Sequence, residues 1–105
     1  MDHQSDGVTV YVTYRGTAET WFDKGYYVER HLPLVMQSWG AYGLESVCAF
    51  FPAVVQDGTI AICECRFRDN AAITAAFASP HAVAVMADVE RFTNVTPRQA
   101  RGVSL

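Results

Sequence analysis

The chain has 105 residues, half of them apolar and 18% charged, with a net charge of −3, the balance of one globular domain with a real core. Its basic residues are scattered, which excludes a nucleic-acid footprint, and no apolar run approaches the length of a membrane span. Aromatic residues make up 12%, more large rings than a minimal core needs, and a homo-oligomer interface or an apolar ligand cavity would use the surplus.

The opening "MDHQSDG" is acidic and polar, unlike a signal peptide; residues 1–7, His3 among them, are expected to be disordered. Three cysteines form an odd set in a chain without export signals and read as reduced cytoplasmic thiols. "VTVYVTY" (8–14) is β-branched and aromatic throughout, the composition of a strand covered on both faces. After Gly16, Thr17 or Thr20 can cap a helix that carries Glu19 or Asp23 in its first turn. Trp21, Val28, Leu32, Val35 and Trp39 recur at helical spacing, broadened by Phe22 and Met36. Within "YYVERHLPL" (26–34), Tyr27 and His31 share a helix face. Pro33 removes a backbone donor and crowds the carbonyl of Glu29, so the helix should bend or end near Arg30–Leu32.

"WGAYG" (39–43) closes the helix with glycine. "LESVCAFFPAV" (44–54) reads as a second strand and "TIAICECRFR" (59–68) as a third, joined at "QDG" in an antiparallel hairpin. Asp69 or Asn70 caps "AAITAAFA". Ser79 then serves as N-cap and Pro80 as first helical residue of "SPHAVAVMADVERF", and "RQARGVSL" holds a short fourth strand. The order strand, helix, strand, strand, helix, strand is that of a single α+β domain over 1–105, a ferredoxin-like split βαβ fold with a four-stranded antiparallel sheet and both helices on one face. Helices cover one face only, yet the strands read as apolar on both, so a homodimer built on the bare face is expected.

A strand, a helix carrying "YYVERHLPL", a hairpin, and a helical pair ending in "FTN" together resemble the EthD family, named for ethyl tert-butyl ether degradation and one of the dimeric α+β barrels. The resemblance runs from Val8 to about Val103, and its specific part is the Tyr–x3–His–x–Pro segment. It implies a dimeric barrel whose wider relatives include cofactor-free muconolactone isomerases, polyketide cyclases, dehydratase-like proteins and quinone-forming monooxygenases. Similarity to the muconolactone methylisomerases includes His31 and "ECRF", where Cys65 matches a cysteine near their site. The tyrosine those isomerases carry at the start of the second strand is matched here by Leu44, with Tyr42 nearby.

His31 titrates near neutral pH and can donate or accept a proton. With Tyr27 as hydrogen-bond partner it would form a catalytic pair turned to the barrel mouth by Pro33; the alternative is a histidine that satisfies carbonyls freed by the proline. Cys63 and Cys65 point to one face of their strand, Glu64 and Arg66 to the other. If Glu64 and Arg66 line the cavity, they would orient an anionic group; if the cysteines do, Cys65 would assist proton transfer or act as a small hydrophobe. Tyr14, Arg15 and Tyr42 complete the candidate substrate contacts. Two thiols without a second ligand pair do not make a zinc site, and no glycine-rich loop, Ser–His–Asp pattern or haem-specific signal appears, so no cofactor is expected. The function expected is a cofactor-independent proton-transfer enzyme, of isomerase, cyclase or dehydratase type, acting on a small cyclic or polyketide-like metabolite, with a small apolar or aromatic molecule as partner. The alternatives are a non-catalytic accessory or binding protein and a cofactor-free monooxygenase.

Overall fold

The computed structural model describes residues 7–103, so the expectation of disorder for residues 1–6, His3 included, lies outside the described residues. Four strands, β1 (Val8–Gly16), β2 (Leu44–Phe50), β3 (Gly58–Phe67) and β4 (Arg98–Gly102), form one antiparallel sheet in the order β2-β3-β1-β4. The helices lie between the strands in sequence as the split βαβ pattern requires, and the α+β reading of the chain holds.

Alternation along the central strands assigns the two faces. Val8, Val10 and Tyr14 of β1 are buried together with Ala61, Cys63, Cys65 and Phe67 of β3, and Ile73, Ala76 and Val85 from the helices join the same core. Thr9, Tyr11 and Thr13 pair across the ladder with Arg66, Glu64 and Ile62 on the opposite, helix-free face. That face is therefore a mixture of apolar and polar side chains, not the uniformly apolar surface expected from the strand composition.

The first helix, α1, is continuous over residues 24–39. It starts as an α-turn at Lys24–Tyr26, passes through a π-turn at Tyr27–His31 and continues as α-helix over Leu32–Trp39. Asp23 is its cap, accepting from the Tyr26 N–H at 3.0 Å. Thr20 instead accepts from the Thr17 N–H within the preceding turn. Pro33 neither ends nor breaks the helix. In the π-turn the Leu32 N–H reaches back to the Tyr27 carbonyl, one residue further than in an α-turn, and the ladder widens just where proline lacks a donor. The later start and the π-turn also rotate the apolar stripe. Trp21 and Val28 are exposed, and the buried line is Tyr27, His31, Val35 and Trp39.

Two short helices follow β3. α2 (Asn70–Ala78) is capped by Asp69, which accepts from the Ala72 N–H at 2.8 Å. α3 (His81–Asp88) begins after Pro80, and the Ser79 hydroxyl donates back to the Ala76 carbonyl at 2.6 Å, so it does not cap α3 as expected. A second link closes the domain. Phe22 bridges Thr93, the Asp23 N–H donates to the Phe92 carbonyl at 2.7 Å, and the Thr93 hydroxyl donates to the Trp21 carbonyl at 2.7 Å. These bonds bring the start of α1 beside the end of α3.

Gly43 makes the turn from α1 into β2 with φ 108°, and a Cβ there would lie 2.6 Å from the Ala72 Cβ. Gly40 is helical in φ and faces open space. Gly43→Ala is expected to lose about 1–3 kcal/mol in chemical denaturation, from backbone strain and the clash, whereas Gly40→Ala should be neutral or stabilising. Equal effects of the two substitutions would contradict this assignment of the turn.

Candidate functional site

His31 is 4% exposed, on the inner face of the π-turn. Its Nδ1 lies 2.9 Å from Oδ2 of Asp88, and Oδ1 of Asp88 accepts from the Tyr26 hydroxyl at 2.7 Å. Asp88, the last residue of α3, thus accepts from two groups of α1 and is also 3.7 Å from the Arg91 guanidinium. With neutral His31, the carboxylate selects the tautomer that carries its proton on Nδ1, which leaves Nε2 as the basic nitrogen. The rest of the ring is held between aromatic neighbours: Tyr27 stacks on it at 5.4 Å and 19°, and Phe92 packs at 4.7 Å. Tyr27 is therefore a stacking partner and not the hydrogen-bond partner expected from the sequence, and the His31 Nδ1 is bonded to a carboxylate rather than to a carbonyl freed by Pro33.

Behind His31, between the helices and the sheet, lies a cavity of about 30 Å³ whose wall includes Val10, Tyr14, Tyr27, Val35, Trp39, Cys63 and Cys65. It has room for a water molecule or two. Next to it, and sharing Met86, Val89, Pro97 and Gln99 with its wall, is a vestibule of about 340 Å³ that continues over Glu90, Thr93, Asn94 and Thr96. Met86, one of the shared residues, is partly exposed, and its flexible side chain adapts readily.

The electrostatics of the cavity separate its titratable groups. Burial pushes His31 below its ordinary pKa of 6.5, against the opposite pull of Asp88. Burial alone would raise the Asp88 carboxyl, but the hydrogen bonds from His31 and Tyr26 hold it below the usual range. Burial keeps both the Tyr14 and Tyr27 phenols protonated well past neutral pH, so they can act as donors and not as bases. The Cys63 and Cys65 sulfurs lie 3.7 Å apart. Cys65 hydrogen-bonds Cys63 and holds it below the ordinary thiol range, and the same pairing raises Cys65.

Of the residues singled out from the sequence, the structure brings together Tyr14, Tyr27, His31 and Cys65, with Cys63 beside them. It does not bring Arg15, Glu64, Arg66 or Tyr42 to this cavity. Glu64 and Arg66 fall on the helix-free face because the alternation of β3 turns Cys63 and Cys65 inward, and Arg66 lies 3.6 Å from Glu45. Arg15 is exposed and donates to the Thr59 hydroxyl, and Tyr42 sits in the turn after α1, facing His81 at 6.1 Å. Asp88, Tyr26 and Phe92 were missed. No local signal marks Asp88, which lies 57 residues from His31. Among the described residues no three His, Cys, Asp or Glu side chains converge as metal ligands.

Comparison with known proteins bears on the family and the fold. A sequence profile of the EthD domain matches residues 15–96. A sequence search of curated proteins gives no match. An EthD-like protein from Ralstonia eutropha JMP134 superposes with a TM-score of 0.82 at 21% identity, covering 96% of this chain and 93% of that one. An ethyl tert-butyl ether degradation (EthD) family protein from Bacillus halodurans C-125 has a TM-score of 0.72 at 18% identity, over 94% and 99% of the two chains. SnoaB from Streptomyces nogalater, a cofactor-independent oxygenase, has a TM-score of 0.69 at 11% identity, over 95% and 94%. At these identities the likeness is one of fold.

The buried dyad predicts a specific pH response. A histidine held neutral in the fold titrates at its higher, ordinary pKa once unfolded, so stability falls as pH drops below about 6.5. Asp88 has the same sign: its depressed folded pKa contributes stability that is lost as pH falls through the carboxylate range. Denaturation midpoints are expected to be level between pH 7 and 8 and to decline below roughly 6.5. By NMR, His31 should titrate below 6.5, and in Asp88→Asn lower still. A His31 pKa above the ordinary value would show that the dyad is read with the wrong sign.

Proposed function

The chain belongs to the EthD family, and from that premise we propose that His31, oriented by Asp88, is the general base of a cofactor-independent enzyme acting on a small apolar or aromatic metabolite. The observation that carries the reading is the 2.9 Å bond between His31 Nδ1 and Asp88 Oδ2 at the wall of an apolar cavity. A base must have a lone pair free toward its substrate, and bonding Nδ1 to the carboxylate leaves Nε2 for that task. When Nε2 takes a proton, the imidazolium gains its counter-charge from Asp88 without reorganisation. The apolar walls lower the local dielectric and strengthen these interactions.

A substrate suited to this pocket carries an acidic C–H or O–H next to a carbonyl or ring. Deprotonation of the substrate by Nε2 and return of that proton to another substrate atom would give isomerisation; loss of a leaving group from the same anion would give dehydration or ring closure. A second reading draws on the fold shared with SnoaB, described as a cofactor-independent oxygenase. Here the same first step generates a substrate anion that itself transfers an electron to dioxygen.

The test is a panel of small ketones, lactones and phenols in D2O, scored for deuterium incorporation, product formation and oxygen uptake. His31→Asn is expected to lower the rate by roughly two to four orders of magnitude, the usual loss for a general base. Asp88→Asn should lower it less and move the acidic limb of the pH profile to lower pH, because Asp88 raises the His31 pKa. Oxygen uptake coupled to substrate loss would select the oxygenase reading. Turnover that survives unchanged in His31→Asn would overturn the mechanism. The absence of any reaction across the panel, with ligands still bound, would favour an accessory binding protein.

We also propose that two chains associate through the helix-free sheet face, where Tyr11, Phe50 and Cys48 are exposed beside Thr9, Thr13 and Ile62. Light scattering at micromolar concentration should then give twice the chain mass, as expected of an interface of standard size, and Tyr11→Glu should shift the population toward monomer. A monomeric wild type would remove this proposal without touching the dyad.

A further inference from the structure

Trp39 is 3% exposed, and among the described residues its Nε1 is the one buried side-chain nitrogen or oxygen with no hydrogen-bond partner. An indole N–H can only donate, and buried donors in folded proteins are almost always paired, so an orphan of this kind calls for an explanation. The rings packed on Trp39 supply none: Phe77 stacks on it at 4.9 Å and 26°, and Phe67 lies at 6.3 Å, and neither carries an acceptor. Trp39 also lines the cavity, together with His31 and Val35 along one face of α1. A molecule in that space is the candidate acceptor.

We propose that the Trp39 indole N–H is the ligand-anchoring donor of the cavity, and that it takes the carbonyl oxygen of a small uncharged ligand of aryl-ketone type. The class follows from the walls. Val10, Val12, Leu32, Val35 and Val85 favour an apolar body, and a donor without a nearby cation suits a neutral oxygen rather than a buried carboxylate. The aromatic rings around His31 and Trp39 favour a flat one. Eight residues of helix separate Trp39 from His31, a rise of roughly 12 Å, so the two groups meet different parts of one ligand. The inner space is about 30 Å³, so a ring fits only if the cavity widens, and the residues it shares with the vestibule, Met86 among them, lie on the side where the two spaces adjoin. This inference rests on the functional reading only in placing a ligand in the same cavity; it requires no catalysis.

The experiment uses acetophenone and ethylbenzene, which share a phenyl ring with a two-carbon side chain and differ in the carbonyl group. The chain has two tryptophans, and Trp21 is half exposed, so its indole N–H serves as internal reference. In 15N-labelled protein, acetophenone is expected to shift the Trp39 indole resonance and leave that of Trp21 in place. Acetophenone should bind roughly fivefold to tenfold more tightly than ethylbenzene, the worth of one net hydrogen bond. Trp39→Phe should retain ethylbenzene binding and abolish the preference for the ketone, whereas His31→Asn should leave the preference intact, which separates this inference from the acid–base reading. If Trp39→Phe does not fold, the wild-type shift and the two wild-type affinities decide by themselves. Equal affinities in the wild type, a preference that persists in Trp39→Phe, or no binding of either compound would overturn the proposal.

Discussion

The structure depends on a buried aromatic cluster that joins the two halves of the chain. Phe92, fully buried, packs edge-on against Tyr14 of β1 at 5.8 Å, Phe22 at 5.3 Å and Tyr27 of the π-turn at 4.8 Å, and it closes on His31. Rings at these separations and tilts bury large areas and add favourable quadrupole contacts. The bonds from the Asp23 N–H to the Phe92 carbonyl and from the Thr93 hydroxyl to the Trp21 carbonyl hold the same junction. Because the end of α3 is fastened here, Asp88 arrives opposite His31 with little freedom to leave it.

The π-turn is the complementary device on α1. A helix of ordinary pitch would confront the Pro33 ring with the carbonyl one turn earlier; widening a single turn relieves that contact and keeps the helix running. π-turns cost hydrogen-bond quality and tend to persist where function uses them. Here the widened turn carries Tyr27 and His31, stacked ring on ring, and presents both to the sheet. The proline's effect is therefore to shape the turn that bears the histidine.

Taking an Asp–His pair out of water is unfavourable unless geometry and further hydrogen bonds compensate. Asp88 meets this condition through the Tyr26 hydroxyl and the nearby Arg91, and its side chain keeps a small solvent-exposed fraction. His31 has no such outlet on its inner side, where burial dominates and holds it neutral. A neutral, oriented imidazole beside an apolar cavity is a perturbed titratable group of the kind that marks functional sites. The orphaned indole of Trp39 on the same helix face adds a donor that the core itself does not use.

Local chemistry determined the fold. The β-branched and aromatic run "VTVYVTY", the strand pattern of "TIAICECRFR", the cap at Asp69, and the glycines that close α1 and turn the hairpin sufficed for element order and sheet architecture, because each acts within a few residues of itself. The same local signals made Tyr27 and His31 neighbours on one helix face. They were silent about which face of β3 meets the helices, since both alternating sets are chemically plausible until a partner surface exists. Only packing of α1 and α3 on the sheet turned Cys63 and Cys65 inward and left Glu64 and Arg66 outside. Local pattern also placed the helix start too early, because Thr17 and Thr20 are as good caps as Asp23 until Phe22 is tied to Thr93. The partner of His31 was beyond sequence reasoning for the same reason: a hydrogen bond across 57 residues is set by where two elements are fastened in space, and nothing in the residues beside Asp88 records it.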